Sequence, residues 1–132
     1  MTTMNKSILL IEDDDDLRQM YTLIFTKAGY RFETANDGIQ GLAKARQGGY
    51  DLILLDLMMP KLDGIGFLKE MKNEAPKKPN GPILVLSNAG YNAVAEEAMK
   101  LGAAGFLLKA DYLPAELVQE VEKYLAKAGN SA

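Results

Sequence analysis

Four short apolar runs constrain this chain more than any other feature: Ile8-Leu9-Leu10-Ile11, Leu52-Ile53-Leu54-Leu55, Ile83-Leu84-Val85-Leu86 and Phe106-Leu107-Leu108. Each is too short for a helix and apolar on both faces, the pattern of strands in a parallel sheet covered on both sides. A fifth segment, Tyr30 to Ala35, alternates Tyr30, Phe32 and Thr34 with Arg31 and Glu33, which suits an edge strand. Between these runs the period lengthens from two to 3.6. Leu17, Met20, Tyr21, Ile24, Phe25 and Ala28 form one helical stripe, followed by Gly29, a residue suited to a left-handed helix end. Ile39, Leu42 and Ala43 predict a second helix, closed by Gly48-Gly49. Ile65, Leu68 and Met71 predict a third, opened by Asp63 and ended before Pro76. Val94, Ala95, Ala98 and Leu101 predict a fourth. Leu117, Val118, Val121, Tyr124, Leu125 and Ala128 predict a fifth, with Pro114 near its first turn.

The order is β-α five times over, with strands starting near residues 8, 30, 52, 83 and 106. Each interval holds one strand and one crossover helix. The longest contains Ala75-Pro76-Lys77-Lys78-Pro79-Asn80-Gly81, read as a surface loop because apolar strands flank it. Strict alternation predicts an open α/β sheet with helices on both faces, in a single domain over residues 1–132. A net charge of −3 argues against direct nucleic-acid binding. No cysteine excludes a disulfide, a thiol nucleophile and a zinc-thiolate site; no histidine excludes a Ser-His-Asp arrangement. Met1 to Ser7 is polar and no apolar stretch approaches the ~18 residues that span a bilayer, so neither a signal peptide nor a membrane span is expected.

In open α/β sheets ligands bind beyond the carboxyl ends of the strands, where strand order reverses. Strand one ends in Glu12-Asp13, strand three in Asp56, strand four in Ser87 and strand five in Lys109. Asp14, Asp15 and Asp16 read as first-turn acids that complement a helix dipole, one of them a cap. Ser87 alone reads equally well as a cap of the helix that follows, and Phe106 as core. The combination says more. Two carboxylates ~5 Å apart repel by roughly 3 kcal/mol at an effective dielectric of ~20, so three held together call for a counter-charge. A hard cation such as Mg2+, bound through oxygens, supplies it. A carboxylate, Mg2+, a hydroxyl and a lysine around one small space suit phosphoryl transfer. Asp56 is the best nucleophile, followed by a loop, Leu57-Met58-Met59-Pro60, expected to lift its carboxylate into solvent.

Glu12-Asp13 after Ile8 to Ile11, Leu55-Asp56-Leu57-Met58-Met59-Pro60 with Asp63-Gly64, then Ser87, then Lys109, resembles the receiver domain of bacterial two-component response regulators, over about Ser7 to Lys127. The resemblance implies a five-stranded, doubly wound, flavodoxin-like (βα)5 fold with strand order 2-1-3-4-5. It implies that Asp56 accepts a phosphoryl group from a histidine kinase or phosphotransfer protein. Asp13 and Asp56 then bind Mg2+ (or Mn2+) directly, Glu12 binds it through water, and the Met58 backbone carbonyl completes the set. Ser87 and Lys109 hold phosphoryl oxygens, and Phe106 is the switch aromatic that follows Ser87 inward. The altered surface, the fourth helix with the fifth strand and helix, binds a downstream protein. Such a domain is a cytoplasmic signalling module, a monomer or a phosphorylation-dependent dimer, rather than a turnover enzyme, although it assists its own phosphorylation and hydrolysis.

Two positions depart from the family pattern. Ala110 follows Lys109 where proline behind a cis bond is common, and a non-proline cis bond costs ~3 kcal/mol, so a trans bond is expected. Asn88 follows Ser87 where a small residue is usual, which narrows access to Asp56 or adds a hydrogen bond to the phosphoryl group. An EF-hand fails because its sixth and twelfth positions, counted from Asp13, are Arg18 and Ile24. An aspartate-nucleophile phosphatase wants a second acid where Met58 stands, and a flavin module wants a Ser/Thr/Gly-rich loop where this chain has acids. The remaining alternatives are a degenerate receiver used as a phosphorylation-independent interaction module, and the receiver part of a larger regulator. The chain is read as a stand-alone receiver, with no output domain after the fifth helix. The alanines Ala93, Ala95, Ala98, Ala103 and Ala104 suggest a small-sided fourth-helix face that docks a partner helix closely.

Overall fold

The computed structural model describes residues 6–130; the polar start before Lys6 and the last two residues lie outside them. Five strands, β1 (Ser7–Ile11), β2 (Arg31–Ala35), β3 (Leu52–Leu55), β4 (Ile83–Ser87) and β5 (Gly105–Leu108), alternate with five helices. The helices are α1 (Asp15–Lys27), α2 (Gly38–Gln47), α3 (Gly64–Asn73), α4 (Ala93–Lys100) and α5 (Pro114–Asn130). All strand pairs are parallel and the sheet order is β2-β1-β3-β4-β5.

That order follows from connection handedness. The chain steps from β1 outward to β2, then returns past β1 to β3 and continues the other way. Right-handed crossovers therefore place α1 and α5 on one face and α2, α3 and α4 on the other. The strand residues divide accordingly. Ile8, Leu10, Leu52, Leu54, Leu84 and Leu86 pack with Phe25, Leu117 and Val121. Leu9, Ile11, Ile53, Leu55 and Val85 pack with Leu42, Ala45, Phe67 and Ala98. The central strands β1 and β3 are wholly inaccessible from Ile8 to Ile11 and from Leu52 to Leu55, which is why they read as unbroken apolar runs. Each such side chain contributes about 1.5–3 kcal/mol through burial.

Helix starts follow a repeated device. Asp14, Asp37, Asp63 and Asn92 each accept a hydrogen bond, at 2.8–3.0 Å, from the N–H three residues on. Such caps are worth about 1 kcal/mol each. Gly29 follows α1 with a φ of 102°, the left-handed geometry its position in the sequence suggests.

Several sequence expectations need correction. Ile39 is more than half exposed and α2 buries Ala45, not Ala43, because the helix turns Gly41 toward Ile11 of β1 and Gly38 toward Leu62. β5 is an edge strand with alternating burial, so Phe106 and Leu108 are only half-buried. Lys109, like Glu12 and Asp56, is the first residue past its strand, and it opens a short 3-10 turn, Lys109–Asp111. Ser87 does not cap α4, since Asn92 does. The small side chains Ala95, Ala98 and Ala103 are buried in the protein's own core, which removes the docking face suggested for them. The bond between Lys109 and Ala110 is trans, as expected, like every other described peptide bond.

Candidate functional site

Chain order reverses between β1 and β3, and the register there sets the site. Ile11 pairs with Leu55, and the Asp56 N–H donates to the Ile11 carbonyl at 3.1 Å. Glu12 and Asp56, the first residues past each strand, therefore leave the sheet side by side. Carboxylate oxygens of Glu12, Asp13 and Asp56 all lie within 4.8 Å of one another. On the other side β4 pairs with β5, Ser87 opposite Leu108, so Ser87 and Lys109 reach the same rim. Glu12, Asp13, Asp14, Asp56, Met58, Ser87, Asn88 and Ala89 line a cleft of about 320 Å3.

The carboxylates differ in environment. Glu12 is buried, and both its oxygens are engaged: Oε1 accepts from Lys109 Nζ at 2.6 Å and Oε2 from the Asp14 N–H at 3.1 Å. Asp13 is exposed. Asp56 is only 5 % exposed, so the following loop does not lift it into solvent; Leu57 turns back into the core and Met58 takes the exposed position instead. Asp56 Oδ1 accepts from the Met58 N–H at 3.2 Å, and Oδ2 lies 3.9 Å from Lys109 Nζ. Burial, then the Glu12 charge, push the Asp56 carboxyl up to about 7; Lys109 and the Met58 N–H oppose them, and Asp13 adds to the rise.

Ser87 is buried and its Oγ accepts from the Ala89 N–H at 3.1 Å. Asn88 stands exposed at the cleft mouth. Phe106 meets Tyr91 edge-on, with ring centroids 5.3 Å apart and planes at 84°. Tyr91 carried no signal in the sequence, since an isolated aromatic in a polar loop fits no period. Chemically, three hard carboxylate donors in one cluster fit a divalent cation better than they fit each other. Among the described residues no helix is long and apolar enough to cross a membrane.

The fold and rim together define the class: a doubly wound, flavodoxin-like α/β domain with an acidic site at its switch point. A family model described as the response regulator receiver domain matches residues 8–122. The chain belongs to that family, the receiver domains of two-component systems. It is 34 % identical over 122 residues to the chemotaxis protein CheY of Thermotoga maritima, covering 91 % of this chain and 98 % of that one. A CheY-like receiver structure from Methanospirillum hungatei superposes with a TM-score of 0.85 at 21 % identity, over 97 % and 99 % of the two chains. The receiver domain of the sensor histidine kinase PA1611 from Pseudomonas aeruginosa superposes with a TM-score of 0.79 at 28 % identity, over 92 % and 98 %. That structure carries a magnesium ion coordinated in its active-site cleft. The chain spans about half the length of several transcriptional regulatory proteins it also matches, and 22 % of another.

Proposed function

We propose that the whole chain acts as one receiver domain, in which Asp56 accepts a phosphoryl group from a histidine kinase or phosphotransfer protein. The observation that carries this is the gathering of Glu12, Asp13, Asp56 and Lys109 at the switch point. Glu12, Asp13, Asp56 and the Met58 carbonyl would hold Mg2+, with Mn2+ an alternative of the same hard chemistry. Bound there, the ion neutralises charge on the transferring group. An Asp56 carboxylate oxygen attacks the phosphorus of a phosphohistidine: the P–O bond forms, the P–N bond breaks, and the departing imidazole takes up a proton. Asp56 must be ionised to attack, and neutralising its surroundings favours that form. Ser87 and Lys109 then hold phosphoryl oxygens, which draws Lys109 away from Glu12. Phe106 follows Ser87, and the changed α4-β5-α5 surface binds a downstream protein. The domain assists its own phosphorylation and hydrolysis without being a turnover enzyme.

The test is incubation with Mg2+ and acetyl phosphate, or with beryllium fluoride, read by intact mass or spectral shifts, beside Asp56→Asn. An adduct that needs Mg2+ and is lost in the variant supports the reading. No adduct and no Mg2+ binding would leave the fold as an interaction module.

A further inference from the structure

We infer that Lys61 is a positioning residue, latched to Asp37 so that the loop after Asp56 holds the Met58 carbonyl in place for the cation. The inference rests on the proposed reading of the site. Between β3 and α3 the chain makes a tight turn: the Leu62 N–H donates to the Pro60 carbonyl at 2.8 Å, spanning only two residues. Lys61, at its centre, has a φ of 70° and is the one non-glycine residue of positive φ among those described. A γ-turn of this hand is rare and strained, and glycine would adopt it more cheaply. A lysine there calls for a compensating role of its side chain.

The side chain reaches the start of α2. Lys61 Nζ lies 3.6 Å from Asp37 Oδ2, on a carboxylate with 8 % side-chain exposure. The other oxygen, Oδ1, caps α2 through the Gln40 N–H at 2.8 Å. The Asp37 carboxyl is held below the ordinary carboxylate range, first by that N–H and, against burial, by the Lys61 ammonium. The next residue of each element makes a second contact. Gly38 lies so close beneath the Leu62 carbonyl that a Cβ there would stand 1.8 Å from its oxygen. The loop is fixed at both ends as well: the Met58 N–H bonds Asp56, and the Gly64 N–H donates to the Leu57 carbonyl at 3.0 Å. Residues 59 to 63 are the span between these anchors, with Lys61 at its centre. Releasing Lys61 lets the strained turn relax toward commoner backbone angles, and Met58 moves with it.

The test uses Lys61→Met, Lys61→Gly, Lys61→Arg and Asp37→Asn, which keeps the Oδ1 acceptor. Two quantities are read: the Mg2+ dissociation constant by titration calorimetry, and amide hydrogen exchange at Leu62 and Met58 in metal-free protein. Thermal unfolding establishes that each variant folds. Lys61→Met and Asp37→Asn should weaken Mg2+ about three- to fivefold and speed Leu62 exchange by a similar factor, the range of one partly exposed ion pair, whereas Lys61→Gly, which removes the strain together with the latch, should fall between them and wild type. Lys61→Arg should restore both, and Lys61→Met with Asp37→Asn should be no worse than either alone. Wild-type Mg2+ binding with unchanged Lys61→Met overturns this inference and leaves the proposed function standing. Lys61→Gly weakened as much as Lys61→Met also overturns it, since turn strain would then not be what the latch offsets. A wild-type protein that binds no Mg2+ overturns both readings.

Discussion

Lys109 Nζ rests 2.6 Å from Glu12 Oε1, and both side chains are almost wholly buried. Glu12 and Lys109 lie 97 residues apart in sequence, so this one contact joins the first and last strands of the fold across the site. Lys109 is 3.9 Å from Asp56, close enough to moderate its charge without a hydrogen bond. In this state the lysine pairs with Glu12 rather than with Asp56. A cation at the acidic cluster would take over that neutralisation and free Lys109 for an incoming anion.

Removing one partner of a buried pair leaves an uncompensated charge, which typically costs 3–5 kcal/mol. Lys109→Met should destabilise the metal-free protein by about 3 kcal/mol at neutral pH. Mg2+ should restore part of that loss by binding the acids Lys109 has abandoned. Urea denaturation with and without Mg2+ reads both effects. A variant as stable as wild type without metal would show that Glu12 does not depend on this lysine.

Asp56 offers a pH signature. Its folded-state carboxyl, pushed up to about 7, holds a proton that the unfolded chain releases near pH 4. The folded state therefore binds more protons across that window, and stability from this group falls as pH rises through it. Asp56→Asn removes the effect. At pH 8 without metal the variant should be more stable than wild type by about 1–2 kcal/mol after allowance for solvent screening. Near pH 4 the two should converge. Mg2+ should reverse the order at pH 8, because only the wild type presents the full ligand set.

How much of this was legible in the sequence depended on the length scale of the signal. β1, β3 and β4 announced themselves because their neighbours bury both faces, and the strand-end rule then brought Glu12, Asp13, Asp56, Ser87 and Lys109 to one rim. The burial of Asp56 was not legible, because it depends on Leu57 turning inward and on Lys109 arriving from β5. The Lys61 turn was hidden for a similar reason: a positive φ on lysine has no local signature. The α4 alanines misled because a row of small side chains reads alike whether it meets a partner or the protein's own core.

Those alanines yield a prediction of opposite sense to a docking face. Ala98 is fully buried among the residues packed beneath α3 and α4. Ala98→Leu adds bulk to filled space and should cost about 1–3 kcal/mol. The same change at exposed Ala93 should shift stability by less than about 0.5 kcal/mol. Thermal unfolding of the two variants side by side checks the contrast.

The edge-on contact of Tyr91 with Phe106 gives the proposed switch a test independent of any partner. Tyr91 is largely exposed, so it contributes little by burial, and its ring chiefly covers the half-buried Phe106. A double-mutant cycle of Tyr91→Ala and Phe106→Ala should return a coupling of about 0.5–1.5 kcal/mol in the unmodified protein. If Phe106 turns inward when the site is loaded, that contact is broken. The same cycle with Mg2+ and beryllium fluoride should then give a coupling near zero. Coupling that persists unchanged in the loaded protein would mean that Phe106 stays under Tyr91, and that the signal leaves the site by another route.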